Sequence, residues 1–296
     1  MIKVFTFGGL GNQMFQYAAA KALADKLGTN LCIDKSFLNI YSKNTTPRSY
    51  ELDLFCLKPY ENITSSKNRG RFFYKIYPKI KRTIFGKKIA AKYNLYEEQN
   101  AFNFDSDFLS LPDETRLLGY FQSEKYFEPF QEVVRDCFTF KKPLSGKNAE
   151  IAEVIKSTNA VSVHIRRGDY VSNAKSITIY VKNSSEYYEN AINRIRKQVE
   201  NPVFFVFSDD PEEAKKIISS PGTTFVDWNS GKDSYVDMQL MSLCKHNIIA
   251  NSSFSWWGAW LNKSAEKIVI APANWFNDED KNSQTNDLIP DKWIRL

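Results

Sequence analysis

The feature that most constrains the fold of this chain is the regular alternation of short apolar runs with helix-forming segments in its second half. The apolar runs are rich in β-branched and aromatic residues, which favour strands. Strands that alternate with helices along a chain form parallel sheets with helices on both faces. The predicted strands are 160–165, 202–207, 223–227, 247–250 and 267–270, and the predicted helices are 149–157, 186–199, 212–218, 235–244 and 252–261.

The chain begins with a unit of the same kind. An apolar strand at 3–7 precedes a glycine-rich loop at 8–13, an alanine-rich helix is predicted to continue to residue 27, and a second strand follows at 31–34. Glycines let the backbone approach a ligand closely, and the free N–H groups of a helix start favour anions. The loop lacks the third glycine of the dinucleotide fingerprint, so a plain tight turn is the alternative.

Length and local composition predict two domains. The chain has 296 residues, which exceeds the usual size of a single domain. Residues 141–147 are polar and contain a proline and a glycine, which is typical of a domain boundary. We therefore predict two α/β domains, 1–145 and 146–296. Within the first of them, 117–123 resembles one more strand and turn.

Three predicted strands of the second domain end in polar residues. The carboxyl ends of parallel strands meet at one edge of a sheet, where α/β proteins bind ligands. A guanidinium group at that edge matches the geometry of phosphate and stays charged at any working pH. The polar sets are His164, Arg166, Arg167 and Asp169 after the first strand, Ser208, Asp209 and Asp210 after the second, and Asn251, Ser252 and Ser253 after the third.

Each polar set also has a structural alternative. An arginine–aspartate pair at a strand end can be a solvated ion pair. The run 208–211 can provide the N-cap of the helix predicted at 212–218, and Ser252 and Ser253 can be a capping pair for the helix predicted at 252–261. Trp256, Trp257 and Trp260 can pack in the core instead of forming a platform for a sugar. A capped helix N-terminus can still bind phosphate, so these alternatives do not exclude a ligand site.

Composition limits the class of protein. The net charge of +6 and the pI near 8.9 permit anionic partners but do not indicate nucleic acid. The four cysteines are scattered without a CxxC pair, and the two histidines are too few for a histidine-rich metal centre. The sequence shows neither a signal-peptide pattern nor an apolar run long enough to cross a bilayer, so we expect a cytoplasmic protein.

Segment 67–92 carries ten basic residues, no acidic residue and several aromatic residues. This combination is typical of a segment that binds an anionic membrane surface, where each basic residue contributes on the order of 1 kcal/mol. A location on the inner face of the plasma membrane would follow. The alternative is a solvated basic face whose aromatic side chains belong to the core. Nucleic acid is the least favoured partner, because no recognised binding module surrounds the segment.

Four stretches together resemble the bacterial α-1,2-fucosyltransferases of glycosyltransferase family 11. They occur in the family's order and span nearly the whole chain, and the Ser-Phe-Ser-Trp-Trp run is the most specific part. The stretches are Gly8–Tyr17, His164–Tyr170, Phe207–Asp210 and Asn251–Gly258.

The resemblance implies a GT-B-like fold in which two Rossmann-type domains face a cleft. Domain 1–145 would lie on the acceptor side, and domain 146–296 would bind GDP-fucose. The implied reaction moves L-fucose from GDP-β-L-fucose, with inversion, to the 2-hydroxyl of a terminal galactose in a surface polysaccharide or an oligosaccharide. O-antigen biosynthesis is the implied setting, and neither a metal nor another cofactor is expected.

The same resemblance assigns roles to single residues. Arg166 would hold the β-phosphate of the donor, and Asn12 would touch both nucleotide and acceptor. The motifs identify no general base. Asp169 is our candidate, and the alternative is a loose transition state with late deprotonation, which needs no strong base. The implied donor-binding residues are Gly9, Gly11, His164, Arg166, Asp209, Asp210, Ser252, Ser253, Phe254 and Ser255. The catalytic candidates are Arg166 and Asn12, which the resemblance implies, and Asp169, which it does not.

Three rival functions remain open at the level of the sequence. The first is a metal-dependent nucleotide-sugar transferase of another fold, in which Asp209 and Asp210, or the acidic run 278–280, would bind a divalent ion. The second is a non-catalytic protein that binds a GDP-sugar or a glycan. The third is a basic scaffold at a membrane surface. Chelator sensitivity, turnover and nucleotide binding distinguish them.

Overall fold

The chain forms two compact units, each built around its own parallel sheet. Unit 1 comprises Met1–Lys141 and Asn286–Leu288, and unit 2 comprises Lys142–Thr285 and Ile289–Leu296. The two parallel sheets confirm the predicted α/β class with two Rossmann-type domains. The computed structural model describes residues 1–38, 48–58, 60–63, 72–100, 102–167, 178–218 and 222–296.

The sheet of unit 1 is parallel throughout the described residues. Its strands are β1 (Ile2–Phe5), β2 (Leu31–Asp34), β3 (Glu61–Ile63), β4 (Leu95–Glu97) and β5 (Arg116–Leu118). They lie in the order β3-β2-β1-β5-β4, and Val4 of the central strand pairs with Ile33 on one side and Leu117 on the other. The helices are α1 (Leu10–Leu27), α2 (Tyr77–Ile80), α3 (Ile84–Lys92) and α4 (Gln131–Cys137), with 3₁₀ turns at Lys35–Phe37, Leu52–Leu54, Phe108–Ser110, Glu124–Tyr126 and Glu128–Phe130 and a π turn at Phe72–Ile76.

Helix α1 is buried on nearly all sides. Fourteen of its eighteen residues are buried, so the helix has no polar face of the kind that a surface helix shows. It begins at Leu10, earlier than predicted, because the carbonyl of Gly9 accepts the N–H groups of Asn12 (3.0 Å) and Gln13 (3.1 Å). It ends at Gly28, whose φ of 60° favours glycine.

Unit 2 contains the second parallel sheet, with β6 near its middle. The strands are β6 (Asn159–Ile165), β7 (Pro202–Ser208), β8 (Thr223–Val226), β9 (His246–Ile248), β10 (Val269–Ala271) and β11 (Ile294–Arg295), in the described order β11-β10-β9-β6-β7-β8. The helices are α5 (Lys147–Ser157), α6 (Ser185–Gln198), α7 (Pro211–Ile217), α8 (Tyr235–Leu243), α9 (Ser253–Leu261) and α10 (Glu279–Ser283), with a 3₁₀ turn at Gly231–Asp233.

The core of unit 2 fixes the position of β6. Val161, Val163 and Ile165 are fully buried and pack in one cluster with Tyr188 of α6 and Phe204 of β7. Burial on both faces explains why the strand is almost continuously apolar. The last residues of β6 are therefore held rigidly where the polar segment begins.

The tryptophans of α9 are core residues. Trp256, Trp257 and Trp260 are all buried and contact one another, with ring centroids 5.0–6.2 Å apart. The structural alternative for these residues is therefore confirmed, and they do not form a platform for a sugar.

Neither disulfides nor membrane spans contribute to the fold within the described residues. Cys32, Cys56, Cys137 and Cys244 all lie in this part of the chain and are free thiols. No helix in the same ranges has the length and apolar character needed to cross a bilayer.

Candidate functional site

Parallel pairing brings three polar strand ends of unit 2 together. Ile165 pairs with Ser208, and Val163 pairs with Ile248, so the segments after β6, β7 and β9 leave the sheet at the same edge. The segment before α6 contacts the segment after β9, because the Asn183 amide lies 3.3 Å from Oδ1 of Asn251. Asp169 lies outside the described residues.

Asp209 connects the two arginines that follow β6. Its Oδ2 lies 2.7 Å from Nη1 of Arg166, and its Oδ1 accepts the backbone N–H of Arg167 at 2.8 Å. The ion-paired side chains of Arg166 and Asp209 are each about a quarter exposed (24% and 24%). The Asp209 carboxylate therefore holds a partly exposed guanidinium in a defined position, and such a group can bind phosphate.

Arg167 is a buried structural arginine. Only 2% of it is exposed. Its guanidinium donates to the carbonyl of Arg166 (3.2 Å) and to that of Asn183 (2.7 Å), so it ties the end of β6 to the segment before α6. In the described part of the chain its Nε has no hydrogen-bond partner.

His164 is a neutral imidazole at neutral pH. It is 4% exposed, and its ring lies 5.7 Å from the ring of Phe254. Burial lowers the pKa of His164 to about 4; the Asp209 carboxylate opposes this shift, and the Arg166 charge adds to it. No hydrogen-bond partner for its Nδ1 occurs among the described residues, so the ring can offer one donor or acceptor to a ligand.

Helix α9 begins with two serines in different roles. Ser252 is the N-cap, and its hydroxyl accepts the N–H of Phe254 at 3.3 Å. Ser255 is fully buried, and its hydroxyl contacts the carbonyls of Ala250 (3.4 Å) and Ser252 (3.3 Å). Ser252, Ser253 and Phe254 remain partly exposed, so this turn can present N–H and hydroxyl groups to an anion.

Asp210 has the capping role that we gave as its alternative. Its carboxylate accepts the N–H of Glu213 at 3.1 Å at the start of α7. One oxygen of Asp210 is therefore engaged within the protein, whereas its contact with a nucleotide stays a prediction.

Unit 1 carries a second polar cluster at the end of β1. Gly8 has a φ of 80°, and a Cβ at this position would lie 2.6 Å from Nδ2 of Asn12, so the loop requires glycine. Oδ1 of Asn12 accepts the side-chain amide of Gln122 at 2.7 Å, which fixes the orientation of the Asn12 amide. A Cβ added at Gly9 would lie 4.0 Å from the guanidinium of Arg48, and Gly11 is buried in the first turn of α1.

The side chains of Gln13 and Gln16 form hydrogen bonds with the backbone in and beside this loop. The fully buried amide of Gln13 donates to the carbonyls of Gly8 (3.0 Å) and Ser49 (2.8 Å). Oε1 of Gln16 accepts the N–H of Phe7 at 3.1 Å. Both glutamines therefore hold the backbone of the glycine loop, and the Gln13 side chain is engaged within the protein.

Sequence reasoning missed two residues of unit 1. Gln122 follows β5, the neighbour of β1, and the rule that polar residues gather at carboxyl ends could have identified it. Glu98 follows the three-residue strand β4, whose pattern is too short to recognise. Its carboxylate accepts the N–H groups of Tyr120 (2.6 Å) and Phe121 (3.0 Å), and burial raises its pKa to about 8.

Comparison with known proteins identifies the family. The sequence profile described as Glycosyl transferase family 11 matches residues 1–296. An alpha-1,2-colitosyltransferase of Escherichia coli is 39% identical over 98% of this chain and 96% of its own length. The O-antigen biosynthesis glycosyltransferase WbnK of Escherichia coli is 34% identical over 98% of both chains. Human galactoside alpha-(1,2)-fucosyltransferase 1 is 28% identical over 49% of this chain and 42% of its own length.

A solved structure supports the fold assignment. Arabidopsis thaliana FUT1, solved as a point mutant in complex with GDP, aligns with a TM-score of 0.51 at 11% identity. The alignment covers 90% of this chain and 69% of that chain. The two parallel-sheet units are thus those of a GT-B-like protein, as the resemblance implied. The full-length profile match and the two Escherichia coli relatives show that this chain is a glycosyltransferase that belongs to glycosyl transferase family 11.

Proposed function

We propose that this glycosyltransferase is an inverting α-1,2-fucosyltransferase. It would move L-fucose from GDP-β-L-fucose to the 2-hydroxyl of a terminal galactose in a surface polysaccharide or an oligosaccharide. The observation that carries the proposal is the Arg166 guanidinium, which Asp209 holds at 2.7 Å at the carboxyl edge of the unit 2 sheet. The family's relatives that transfer fucose to galactosides support the choice of sugar and linkage.

The proposed chemistry places the greatest electrostatic demand on the leaving group. The acceptor oxygen attacks the anomeric carbon of fucose from the face opposite GDP, and the bond to the β-phosphate oxygen breaks with its electron pair. Negative charge then develops on the leaving GDP. Arg166 would stabilise that charge, and because Asp209 already orients the guanidinium, little reorganisation is needed during the reaction.

The neighbouring residues would bind the rest of the donor. His164, neutral and with a ring nitrogen that has no partner in the described residues, would contact the nucleoside. Asp209 and Asp210 would accept hydrogen bonds from guanine or ribose with the oxygens that remain accessible. The α9 turn would add donors from Ser252 and Ser253 near the phosphates, whereas Phe254 and Ser255, whose N–H and hydroxyl bond within the turn, would hold its shape.

Asn12 would serve the acceptor side of the reaction. Gln122 engages its carbonyl oxygen, so the Asn12 amide is oriented before any ligand binds. Gly9 and Gly11 would allow the nucleotide or acceptor to approach the backbone of this loop. We propose Asp169 as the general base that takes the proton from the acceptor hydroxyl.

A competing donor is the activated form of colitose. The Escherichia coli relative named for colitosyl transfer is 39% identical to this chain, whereas the human fucosyltransferase matches only about half of it. Direct competition decides between them: the protein would be given both activated sugars with one galactoside acceptor. Transfer of colitose in preference to fucose would overturn the fucosyl assignment and leave the reaction type intact.

The first test of the donor site is a calorimetric titration. GDP, UDP and ADP would each be titrated into the protein in excess EDTA. Selective binding of GDP supports the proposed donor class and the absence of a metal requirement. Binding that needs a divalent ion, or a preference for UDP, would contradict both. Release of product with an α-1,2 linkage, identified by NMR, then separates an enzyme for this reaction from a protein that only binds the donor.

We also propose that segment 67–92 contacts an anionic membrane surface, so that the enzyme works on the inner face of the plasma membrane. In the described part, 72–92, the aromatic and apolar residues fall into a buried group and an exposed group. Phe73 and Tyr77 are buried in the core of unit 1, whereas Ile84 and Phe85 are 78% and 64% exposed at the start of α3. The exposed pair lies between basic residues that are also exposed: Lys75, Lys79, Arg82, Lys87, Lys88 and Lys92.

The exposed pair distinguishes this surface from a purely solvated one. A basic face that serves only solubility has no reason to expose two adjacent large apolar side chains. Apolar side chains in a cationic surround are the composition of segments that lie in the membrane interface. Lys81 is not part of this surface, because its Nζ lies 2.6 Å from the Glu97 carboxylate.

A further inference from the structure

Unit 1 contains a cavity that no part of the donor chemistry uses. It has a volume of about 250 Å³ and opens beyond the end of β4. Ligands of open α/β sheets bind beyond the carboxyl ends of the strands, so the position is suited to a ligand. Its volume is just below the range of roughly 300–1,000 Å³ that is usual for drug-sized ligands, so it suits one small ring and is too small for a nucleotide.

The polar groups in the wall are already oriented. Glu98 receives the backbone N–H groups of Tyr120 and Phe121 on its two carboxylate oxygens. Asp105 accepts the hydroxyl of Tyr96 at 2.5 Å. Each carboxylate oxygen has more than one lone pair, so both groups can accept further hydrogen bonds.

The backbone around Glu98 is tightly constrained. A Cβ on Gly119 would lie 2.5 Å from Cβ of Glu98, so the two segments approach as closely as a glycine permits. Phe121 adopts a φ of 54°, which is costly for a residue with a side chain. Strained backbone conformations of this kind are common at binding sites, where the surrounding structure stabilises them.

The opposite wall is fixed by a contact from a distant part of the chain. The N–H of Phe104 donates to Oδ2 of Asp287 at 2.8 Å, and Nζ of Lys125 lies 2.5 Å from Oδ1 of the same carboxylate. The ring of Phe104 in turn lies 5.0 Å from the ring of Tyr126, which also lines the cavity. Both walls are therefore built before a ligand binds.

The composition of the lining defines the class of ligand. No lysine, arginine or histidine occurs among the described residues that line the cavity, so it is not suited to phosphate. It offers instead two carboxyl groups, the side-chain amides of Asn100 and Asn103, and the aromatic rings of Tyr96, Phe104 and Tyr126. Carboxyl and amide oxygens accept hydrogen bonds from the hydroxyl groups of a sugar, and amide N–H groups donate hydrogen bonds to them. Aromatic rings pack against the apolar face of a sugar ring.

We propose that this cavity binds one sugar residue of the acceptor glycan, other than the galactose that receives fucose. The proposal rests on the proposed function, because that function makes a glycan the acceptor. The cavity would recognise the identity of a neighbouring sugar, and would thereby select among glycans that all end in galactose.

A comparison of short and long acceptors tests the proposal. The double variant Asn100→Ala/Asn103→Ala removes two lining amides, and the matched control Asn190→Ala/Asn193→Ala removes two exposed amides from α6 of unit 2. With lacto-N-tetraose as acceptor, the cavity variant is expected to raise KM about tenfold while kcat and the affinity for GDP stay unchanged. With methyl β-galactoside, which has no second sugar, neither variant is expected to change KM. An equal KM for lacto-N-tetraose in the cavity variant and the control would overturn the proposal.

A direct binding measurement separates this proposal from the proposed function. Saturation-transfer NMR with lacto-N-tetraose, in the absence of any donor, reports binding even if the protein transfers no fucose. Signals that weaken in Asn100→Ala/Asn103→Ala, and persist in the control, support the cavity as a sugar site. Signals that are absent from the unmodified protein, or equal in all three proteins, would overturn it. Failure of fucose transfer alone would count only against the proposed function.

Discussion

Arg166 and Arg167 are neighbours in the sequence but lie in different surroundings. Arg166 is partly exposed and paired with a carboxylate, whereas Arg167 is buried and donates to two backbone carbonyls. A partly exposed charge pair contributes little to stability, whereas a buried cation with several bonds holds the backbone. The two positions should therefore respond differently to substitution.

Arg166→Ala is expected to lower kcat/KM by roughly 10²–10³-fold, the usual cost of removing a donor that stabilises transition-state charge. The free energy of unfolding should change by less than about 1 kcal/mol, because the ion pair is solvated on one side. Activity assays and urea denaturation measure the two quantities. Lys216→Ala, which removes an exposed ion pair with Glu213, is the matched control. Unchanged activity in Arg166→Ala would remove this residue from the mechanism.

Arg167→Lys is expected to lower the free energy of unfolding by roughly 2–4 kcal/mol. A lysine keeps the charge but cannot reach two carbonyls with a rigid planar fork. Urea denaturation of this variant beside Arg166→Lys provides the comparison. If the two variants are equally stable, the structural role assigned to Arg167 is wrong.

Glu98 should make the stability of the protein depend on pH. Burial raises its pKa from 4.5 to about 8, so between these values the folded form keeps a proton that the unfolded form has lost. The folded state binds more protons, and this contribution to stability therefore falls as the pH rises from about 4.5 to 8. In Glu98→Gln that dependence should be absent.

Denaturation at pH 5 and pH 8 measures the effect. The unmodified protein should lose stability relative to Glu98→Gln between the two values, by an amount on the order of 1 kcal/mol or more. Glu132→Gln, at a side chain that is 89% exposed, should show no such difference. A constant difference between Glu98→Gln and the unmodified protein would mean that Glu98 is ionised in the folded state.

At the scale of elements, the start of α3 is the most testable surface. Ile84→Ser/Phe85→Ser is expected to weaken binding to vesicles that contain phosphatidylglycerol by at least about tenfold, because two apolar side chains would no longer enter the interface. Vesicle sedimentation measures the partition, and pure phosphatidylcholine vesicles separate the apolar from the electrostatic contribution. Val154→Ser, at an exposed valine of unit 2, is the control.

The basic residues around the start of α3 should contribute to vesicle binding independently of its two apolar residues. Neutral replacement of Lys79, Arg82, Lys87 and Lys88 should weaken binding to anionic vesicles and leave binding to neutral vesicles unchanged. Lys81 should be left in place because it pairs with Glu97. Equal binding of all these variants and the unmodified protein would mean that the segment is a solvated face.

The elements of unit 2 were predictable because their signals are long and consistent. The strands at 160–165 and 202–207 are runs of apolar residues, and the structure places strands there at Asn159–Ile165 and Pro202–Ser208. In unit 1, the strand predicted within 117–123 overlaps β5, whereas β3 and β4 were not predicted, because three residues are too short for a periodic pattern. Their positions depend on pairing with distant strands, and this is information that a local pattern does not contain.

At the scale of the whole molecule, the donor site should respond to GDP as a connected region. At a free GDP concentration of 100 times Kd, the bound state is stabilised by about 2.7 kcal/mol, so amides that exchange by local opening there should slow by about 100-fold. We expect this slowing at 164–167, 208–210 and 252–255, measured by hydrogen exchange and mass spectrometry. The opposite edge of the unit 2 sheet, near residues 159 and 245, should exchange at an unchanged rate. Uniform slowing, or none at the carboxyl edge, would contradict the assigned site.

The candidate site shows where prediction from sequence stops. The clusters around Arg166, Asp209 and Ser252 could be predicted together, because parallel strands must end at a common edge. The contact between Asn12 and Gln122 joins residues that are 110 positions apart, and the cavity beside Glu98 depends on Asp287, which is more distant still. Such contacts depend on tertiary packing, and no local sequence motif predicts them.

Asn286–Leu288 belong to unit 1 although they lie near the end of the chain, and this limits how chimeras between related glycosyltransferases can be made. Asp287 anchors Phe104 and Lys125, so a fragment that ends at Lys141 would lack a carboxylate on which its own cavity wall depends. A chimera of two relatives that are joined at a single point after unit 1's first segment would contain the cavity wall of one protein and the Asp287 carboxylate of the other. Exchange of specificity therefore requires two inserted segments, and the shorter of them is three residues long.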